Sequence, residues 1–201
     1  MGTSEKPQQI IARAYAERAP QSGTQSIVRF LLLLAIAALL AFWMARKFNG
    51  GDPEGGLAVG QPAPSITAAG WLNGPGPEPA DLKGKVVLIS AWGNHCPYCD
   101  KEAPELVALH NEFNDRVVFV GLTGDELNNL QGNNFVERNK LPWPNGYAAI
   151  ETLTALEFWA YPMEWIIGAD GKIAWNIDSR RRSGISLEEG LKQALAAAKK
   201  S

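Results

Sequence analysis

Two cysteines, Cys96 and Cys99, are the residues whose type and spacing most directly indicate chemistry in this chain. They are its only cysteines, and they flank the dipeptide Pro97-Tyr98. A Cys-x-x-Cys pair that opens a helix places the first sulfur at the helix N-terminus, where unpaired N–H groups and the dipole stabilise a thiolate. A lowered thiol pKa makes Cys96 a nucleophile near neutral pH. Cys99, one helical turn on, can attack a mixed disulfide and release the substrate. The pair therefore predicts dithiol–disulfide exchange, with Cys96 as attacker and Cys99 as resolver.

A metal site is the alternative use of these thiols. A four-ligand zinc site would need both histidines, but His95 is adjacent to Cys96 and His110 faces elsewhere along the predicted helix. Thiolates with a nearby imidazole also suit Cu(I), so a non-catalytic copper-binding module is the alternative from a different class. A lone Cys-x-x-Cys between a strand and a helix is the usual redox pattern. We therefore predict no bound metal and no cofactor beyond the Cys96–Cys99 disulfide.

The segments around the cysteines predict a strand–helix–strand unit that would hold them. The apolar, β-branched run 85–92 predicts a buried strand, the pattern after Cys96 predicts a helix, and 117–122 predicts a second buried strand. Such a unit is expected to be parallel and right-handed. Downstream we predict a polar helix, a rigid loop, a short helix, a hairpin turning at Asp170-Gly171 and a final helix capped by Ser186. These segments are 125–139, 141–146, 152–158, 164–177 and 186–199. Ile66 and Trp71 are expected to add an edge hairpin.

Composition excludes several classes of protein. With 201 residues and a net charge of −2, the chain has neither the length for several domains nor the basic excess for binding nucleic acid. Two thiols are too few for a disulfide-rich scaffold or an iron–sulfur cluster. The charge is uneven, because residues 1–47 hold six basic and two acidic residues and the rest hold 13 and 19. The basic end is also the apolar end.

Residues 26–47 predict a transmembrane anchor that lies in the lipid bilayer. The run from Phe30 to Ala45 has no charge, Gly or Pro, and with its N-terminal edge it reaches the length of about 20 residues that a spanning helix needs. A cleaved signal peptide is disfavoured because no small-x-small site follows, and a buried core helix because no face is polar. Four basic residues precede the run and two follow it. This favours a cytoplasmic N-terminus and a periplasmic or extracytoplasmic C-terminal domain.

The chain is thus predicted to have four parts. Residues 1–25 are a cytoplasmic tail, 26–47 the anchor, 48–58 a flexible Gly-rich linker and 59–201 the catalytic domain.

The run from Leu82 to Val87, then Ala91-Trp92, Cys96-Pro97-Tyr98-Cys99, Glu102 and Pro104 resembles the membrane-anchored TlpA/ResA/DsbE-type thiol–disulfide oxidoreductases. The likeness covers about residues 58–200 together with the N-terminal anchor. It implies an α/β thioredoxin-like fold, with a central mixed sheet flanked by helices, preceded by one transmembrane helix. It also implies a location in the inner membrane, with the catalytic domain on the periplasmic side.

The resemblance carries further roles onto matching positions. Pro162 matches the family's cis-proline, which lies against the Cys-x-x-Cys pair and shapes the substrate groove. Trp92 matches the tryptophan before the active-site loop, where it could border the substrate groove or tune the site as well as pack in the core. Pro104 matches a proline within the helix. Glu102 matches a glutamate three residues after the second cysteine. At that spacing it shares a helix face with Cys99 and could tune or carry the Cys99 proton, or it could be a plain exposed glutamate.

Several positions depart from the family pattern. His95 stands where relatives often have an aromatic or small residue, and an imidazolium there would favour the Cys96 thiolate. Ser90 occupies the position of thioredoxin's buried acid, which predicts that this proton relay is absent. Tyr161 replaces a small or β-branched residue before the proline, and Pro97-Tyr98 is the glutaredoxin pair. These differences bear on the redox potential and on the substrate groove.

The function implied is disulfide exchange in exported proteins. Reduction is the expected direction, with electrons from a transmembrane thiol carrier of the DsbD or CcdA type, and cytochrome c maturation is one expected pathway. An oxidase or isomerase that assembles surface proteins is the alternative within the same class.

Overall fold

The structure is a computed structural model that describes residues 23–48, 55–132 and 134–199. Within the first range, side chains are described for residues 27–41. The chain separates near residue 50 into two units. The predicted cytoplasmic tail up to residue 22 and the linker residues 49–54 lie outside the described residues.

The first unit contains one helix, α1, which runs Gly23–Phe48. Its apolar side chains are exposed, with Phe30, Leu33 and Leu39 each more than 60% accessible. In the described part of the chain, no helix combines the length and the hydropathy that crossing a membrane requires.

The second unit is an α/β domain with a six-stranded mixed sheet, as the sequence predicts. The strands are β1 (Gly70–Leu72), β2 (Val86–Ala91), β3 (Val117–Leu122), β4 (Asn145–Tyr147), β5 (Met163–Ile167) and β6 (Ile173–Asn176). The helices of this domain are α2 (Pro79–Leu82), α3 (Pro97–Phe113), α4 (Phe135–Arg138), α5 (Ile150–Ala155), α6 (Ile177–Ser183) and α7 (Leu187–Ala198), and a 3-10 turn covers Leu127–Leu130.

The sheet places β2 at its centre and the end of β2 at the cysteines. The strand order is β1-β4-β3-β2-β5-β6, with β2 parallel to β3 and antiparallel to β5. All six residues of β2 are buried, because helices or loops cover both faces of a central strand. The β2–α3–β3 unit and the β5–β6 hairpin confirm the sequence predictions for these segments.

Alternate residues of the central strands face two separate cores. On one face Leu88, Trp92 and Ile166 pack with α3 and α7. On the other face Ile89, Ala91 and Trp165 pack with α5 and the N-terminal part of the domain. This alternation is the period of two expected of a strand, and it fixes which residues can lie beneath α3.

Four segments differ from the sequence expectation. The predicted rigid loop contains β4, which pairs with β1, so β1 is a single edge strand and not part of a hairpin. Residues 177–183 form helix α6, which begins at the residue where the predicted hairpin ends. The polar helix predicted for 125–139 is instead a 3-10 turn and the short helix α4.

The fourth difference concerns the start of the folded domain. Gly55 and Gly56 are buried, and the Leu57 N–H donates to the Leu156 carbonyl at 2.8 Å. A Cβ on Gly56 would lie 2.7 Å from the Trp165 indole nitrogen, so the backbone packs closely there. Residues 55–58 therefore belong to the domain and not to the predicted linker, because their backbone is hydrogen-bonded into it.

Candidate active site

The two cysteines form a disulfide between the end of β2 and the first turn of α3. Their Cα atoms are 5.2 Å apart. Cys96 is the N-cap of α3 and half-buried, whereas Cys99 is 2% exposed. The Cys99 N–H donates to Cys96 Sγ at 3.1 Å. In the reduced chain the same N–H would stabilise a Cys96 thiolate, so the position of each sulfur fits the predicted attacker and resolver.

The loop before β5 lies against the cysteine loop. The Tyr161–Pro162 peptide is cis, as the resemblance implies. The Tyr161 hydroxyl accepts a hydrogen bond from the Gly124 N–H at 2.8 Å. A Cβ on Gly93 would lie 2.8 Å from the Tyr161 ring. Tyr161 therefore spans the loops that follow β2 and β3, and this large side chain fits because both loops present glycine to it.

Trp92 is placed differently from the expectation that it lines the substrate groove. It is 1% exposed, its indole N–H donates to the Asn145 side chain at 3.0 Å, and its ring stacks on Phe135 at 4.9 Å. A fully buried ring cannot contact a substrate. The ring supports the active-site loop from below, which fits the core-packing part of the expectation and not a place in the groove.

His95, Pro97 and Tyr98 form the exposed rim beside Cys96. The Tyr98 side chain is 69% exposed, and the Lys101 ammonium lies 5.2 Å from the centre of its ring. All three side chains are exposed next to Cys96 in the chain. Their effects on the thiolate and on substrate choice stay predictions.

Asn94 holds the cysteine loop in place, and the sequence analysis did not single it out. Its backbone N–H donates to the Asp125 carboxylate at 2.8 Å, and its side-chain amide donates to the Asn129 carbonyl at 2.8 Å. Its side-chain oxygen accepts from the Phe135 N–H at 2.9 Å. Asn94 is 6% exposed, so these bonds satisfy a buried polar group that would otherwise be costly. The feature of the sequence that could have identified Asn94 is its place in the loop directly after β2.

Arg138 adds an ionic contact to the same region. Its guanidinium lies 3.0 Å from the Asp100 carboxylate and also bonds to the Asn94 carbonyl. The Arg138 hydrogen bond holds the pKa of Asp100 below its ordinary value, against the opposing effect of burial. The residue after Cys99 is thus tied to α4. No spacing in the sequence indicates this contact, because the two residues are far apart in the chain.

Glu102 and Glu164 form a second polar group beneath α3. Glu102 is half-buried, and burial raises its pKa, although a hydrogen bond with Glu164 acts in the opposite direction. Glu164 is 5% exposed, and burial together with the charge of Glu102 raises its pKa to about 8. The position of thioredoxin's buried acid is occupied by Ser90, as noted from the sequence. Glu164 lies directly opposite Ser90, on β5. A buried acid is therefore present on β5, opposite the position that Ser90 occupies on β2.

Metal-binding geometry is not found at the cysteines or elsewhere in the described ranges. No group of three His, Cys, Asp or Glu side chains in residues 23–48, 55–132 and 134–199 is arranged to hold a metal ion. His110 packs against Phe119 and Trp143 with ring centres 5.0 and 5.3 Å away. It therefore lies in an aromatic cluster of the core.

Comparisons with known proteins agree with this geometry. A sequence profile described as the AhpC/TSA family matches residues 59–176. The chain is 27% identical to the thiol-disulfide oxidoreductase ResA of Bacillus cereus, over 83% of this chain and 95% of that protein.

Solved structures give the same fold. The thioredoxin domain of a thiol-disulfide oxidoreductase from Bacteroides vulgatus is 28% identical, covers 60% of this chain and 88% of its own, and gives a TM-score of 0.52. A thiol:disulfide interchange protein from Chlorobium tepidum gives a TM-score of 0.55 at 24% identity, covering 69% of this chain and 99% of its own. The second likeness supports the thioredoxin-like fold alone.

Proposed function

Since the chain belongs to the AhpC/TSA family and is a protein-disulfide oxidoreductase, we propose that it reduces disulfides in exported proteins from a membrane-tethered position. The observation that carries the proposal is the Cys96–Cys99 disulfide at the start of α3, with one sulfur half-buried and the other buried. In this arrangement a client disulfide can approach the Cys96 sulfur, while the Cys99 sulfur stays buried until the second step.

The proposed cycle uses both sulfurs in turn. The Cys96 thiolate attacks one sulfur of the client disulfide, and the other client sulfur leaves as a thiolate that takes a proton from water. The Cys99 thiol then loses its proton and attacks Cys96 Sγ. This step restores the Cys96–Cys99 disulfide and releases the remaining client sulfur as a thiol. Two electrons pass to the client, so the chain must be re-reduced by another dithiol.

We propose that the client binds an apolar surface near Cys96 that is formed by Tyr98, Ile150 and Trp159. Tyr98, Ile150 and Trp159 are each more than half exposed, and among the described residues of the domain the other exposed large apolar side chains are Val59 and Leu127. A Cβ on Gly124 would lie 2.8 Å from the Ile150 side chain and 3.2 Å from the Tyr161 hydroxyl, so these two residues flank one backbone segment. Exposed apolar side chains beside a reactive sulfur suit an extended, partly unfolded client.

The tether is proposed from the sequence. The uncharged run from Phe30 to Ala45 has the composition of an anchor, and helix α1 carries exposed apolar side chains over residues 27–40. The basic residues before the run support a cytoplasmic N-terminus and a catalytic domain on the periplasmic or extracytoplasmic side. We propose a transmembrane thiol carrier of the DsbD or CcdA type as the electron donor, and cytochrome c maturation as one pathway for the clients.

Insulin reduction by the detergent-solubilised full chain tests the catalytic part of this proposal. The Cys96→Ser variant is expected to lose activity. The matched Cys99→Ser variant should still attack and should accumulate a mixed disulfide that dithiothreitol releases. Full activity of Cys96→Ser would contradict the nucleophile assignment.

The competing functions predict other results in the same preparation. Faster oxidation of a reduced client than reduction of insulin would favour an oxidase or isomerase. Stoichiometric, tight binding of Cu(I) or Zn(II) without disulfide exchange would favour a metal-binding module.

A further inference from the structure

The two ends of the cysteine segment are joined by one side chain, Arg138 of α4. Its Nη2 atom donates to the Asn94 carbonyl at 2.5 Å and to the Asp100 carboxylate at 3.3 Å, and its Nε atom donates to the same carboxylate at 3.0 Å. Asn94 lies two residues before Cys96, and Asp100 directly follows Cys99. One guanidinium group therefore bridges the two ends of the segment that holds both sulfurs.

The Asp100 carboxylate brings a negative charge close to Cys96. The Asp100 N–H donates to the Cys96 carbonyl at 3.2 Å, so the two residues are one helical turn apart. Residues at this spacing on a helix have Cβ atoms about 5–6 Å apart. The hydrogen bond from Arg138 holds the pKa of Asp100 below its ordinary value, so the carboxylate is ionised at neutral pH. A Cys96 thiolate would therefore form next to a charge of the same sign.

The two charges of the pair have opposite effects on that thiolate. A nearby carboxylate raises the pKa of a thiol, and a nearby guanidinium lowers it. The side chains of Arg138 and Asp100 are 24% and 39% exposed, so water weakens their effect on Cys96 without removing it. The guanidinium thus offsets the repulsion that the Asp100 carboxylate alone would exert on the thiolate.

Further contacts fix the place of both charges. The Asn139 amide donates to the Asp100 carboxylate at 2.7 Å, and the Arg138 guanidinium lies 5.5 Å from the centre of the Phe135 ring. A second guanidinium nitrogen, Nη1, donates to the Asn94 side-chain oxygen at 3.3 Å. Ion pairs near the surface contribute little to stability, whereas charges fixed beside a reacting group shift its pKa.

Other titratable groups surround the same segment. His95 lies within it, and Lys101 and Glu102 follow Asp100 on α3. The Asp125 carboxylate accepts a hydrogen bond from the backbone N–H that precedes His95 by one residue, at 2.8 Å. These groups act on Cys96 as well, and they stay the same when only the Arg138–Asp100 pair is changed.

We propose that Arg138 and Asp100 are positioning residues whose opposed charges set the reduction potential of the Cys96–Cys99 disulfide. Reduction takes up two electrons from an external dithiol and one proton, and it yields a Cys96 thiolate and a Cys99 thiol. A more stable thiolate raises the potential, so Arg138 raises it and Asp100 lowers it. The inference rests on the oxidoreductase activity and not on the direction proposed above.

Variants that remove one charge at a time test this inference in the full chain. Asp100→Asn keeps an oxygen that can accept from Arg138 and should raise the potential. Arg138→Met leaves the carboxylate without its cation and should lower the potential. We expect each variant to change the equilibrium constant with dithiothreitol about threefold at about pH 8, where a thiol activated by a helix N-terminus is ionised. This change corresponds to about 14 mV, since a tenfold change corresponds to about 30 mV.

The ultraviolet absorbance of the thiolate gives a second readout. The pKa of the Cys96 thiol should fall in Asp100→Asn and rise in Arg138→Met. Arg138→Lys keeps the charge and should keep a potential close to that of the wild-type chain. The double variant of Arg138→Met and Asp100→Asn should also lie close to it, because both charges are removed.

An ion pair at the other end of α3 provides the matched control. Arg116 lies 3.1 Å from Asp115 just after this 17-residue helix, which places the pair about 25 Å from the cysteines. Arg116→Met and Asp115→Asn change the net charge in the same way. They should leave the potential at the wild-type value.

The signs of the two shifts separate an effect of charge from a loosening of the loop. Shifts of Asp100→Asn and Arg138→Met in the same direction, or wild-type potentials in both, would overturn the inference. Shifts of equal size in the control variants would also overturn it. The absolute potential of the wild-type chain tests the proposed direction separately, so a chain that proves to be an oxidant would still allow the differences among variants to be measured.

Discussion

Cys96 and Cys99 differ in accessibility although they are joined in one disulfide. Cys96 caps α3 and is half-buried, while Cys99 lies inside the core beneath the same helix. A strand that ends directly before a helix produces this difference, because the first cysteine sits in the turn and the second on the inward face of the first helical turn. The difference in position assigns the two sulfurs their order in the reaction.

Glu164 gives a pH-dependent contribution to stability. The folded chain keeps its proton up to about pH 8, whereas the unfolded chain releases it near the ordinary value of 4.5. The folded state therefore binds more protons between these values, and the free energy of unfolding should fall as the pH rises through this range. We expect Glu164→Gln to show a shallower fall from about pH 5 to pH 8 in denaturant titrations of the oxidised chain.

Glu112→Gln provides the comparison for this slope, since the Glu112 carboxyl is exposed on α3. It should keep the wild-type dependence on pH. Identical slopes for wild type and Glu164→Gln would show that Glu164 does not hold its proton in the folded chain.

At the residue level, the sequence predicts best those groups whose spacing is itself the signal. The Cys-x-x-Cys spacing identifies Cys96 and Cys99, and the resemblance identifies the cis peptide at Pro162. Glu164 was not singled out because its position opposite Ser90 depends on how β5 pairs with β2. The sequence did contain an indication of its position, since Glu164 and Ile166 are two residues apart in a predicted strand and therefore share one face.

Three elements meet at the active-site loop through the side chain and backbone of Asn94. The loop after β2 is bonded to the loop after β3, to the 3-10 turn and to α4. Tyr161 adds the loop before β5 through Gly124. These hydrogen bonds together restrict the conformation of the cysteine loop. The restriction matters because the geometry of a catalytic loop depends on the hydrogen bonds that support it.

Replacing Asn94 should loosen this arrangement. Asn94→Ala removes the side-chain hydrogen bonds to the Asn129 carbonyl, the Phe135 N–H and the Arg138 guanidinium. A buried group left unsatisfied, such as the Phe135 N–H, costs about 1–3 kcal/mol. We expect a loss of this size in the free energy of unfolding, measured by denaturant titration, and slower insulin reduction.

Asn129→Ala is the matched control, because Asn94 bonds to the Asn129 backbone carbonyl and not to its exposed side chain. It should leave stability and activity close to wild type. Equal effects of the two substitutions would show that the Asn94 side chain does not support the loop.

Among the elements, length decided which were predicted. The strands 86–91 and 117–122 and the hairpin at Asp170-Gly171 carry enough residues to show periodicity. Strands β1 and β4 have three residues each, too few for any period, and their pairing joins segments far apart in the chain. Helix α6 was missed because all its residues after Ile177 are polar and none of its residues is buried.

At the scale of the whole molecule, the part of the chain that the structure describes contains a helix and a catalytic domain with different surfaces. Helix α1 exposes large apolar side chains, whereas the domain buries most of its own around the two faces of the sheet. The sequence predicted this division from the charge-free run and the glycines that follow it. The domain's first residues were assigned wrongly, because Gly55 and Gly56 read as linker and yet pack against Trp165 and neighbouring residues.

The proposed tether predicts where the chain is found in a bacterial cell. The full chain should sediment with membranes and resist extraction by high salt, and a variant lacking residues 26–47 should not. A reporter that works only outside the cytoplasm should be active when it is fused after Ser201. Recovery of the full chain in the soluble fraction would contradict the tether. An inactive reporter would contradict its orientation.

The reduction potential of the Cys96–Cys99 disulfide tests the central claim most directly. It can be measured by equilibrating the full chain with dithiothreitol or glutathione buffers of known ratio and counting the free thiols. We predict a reduction potential below the glutathione poise of about −220 mV, where the dithiol passes electrons to client disulfides. A value near −120 mV, as in a strong thiol oxidant, would contradict it and assign the chain to disulfide formation.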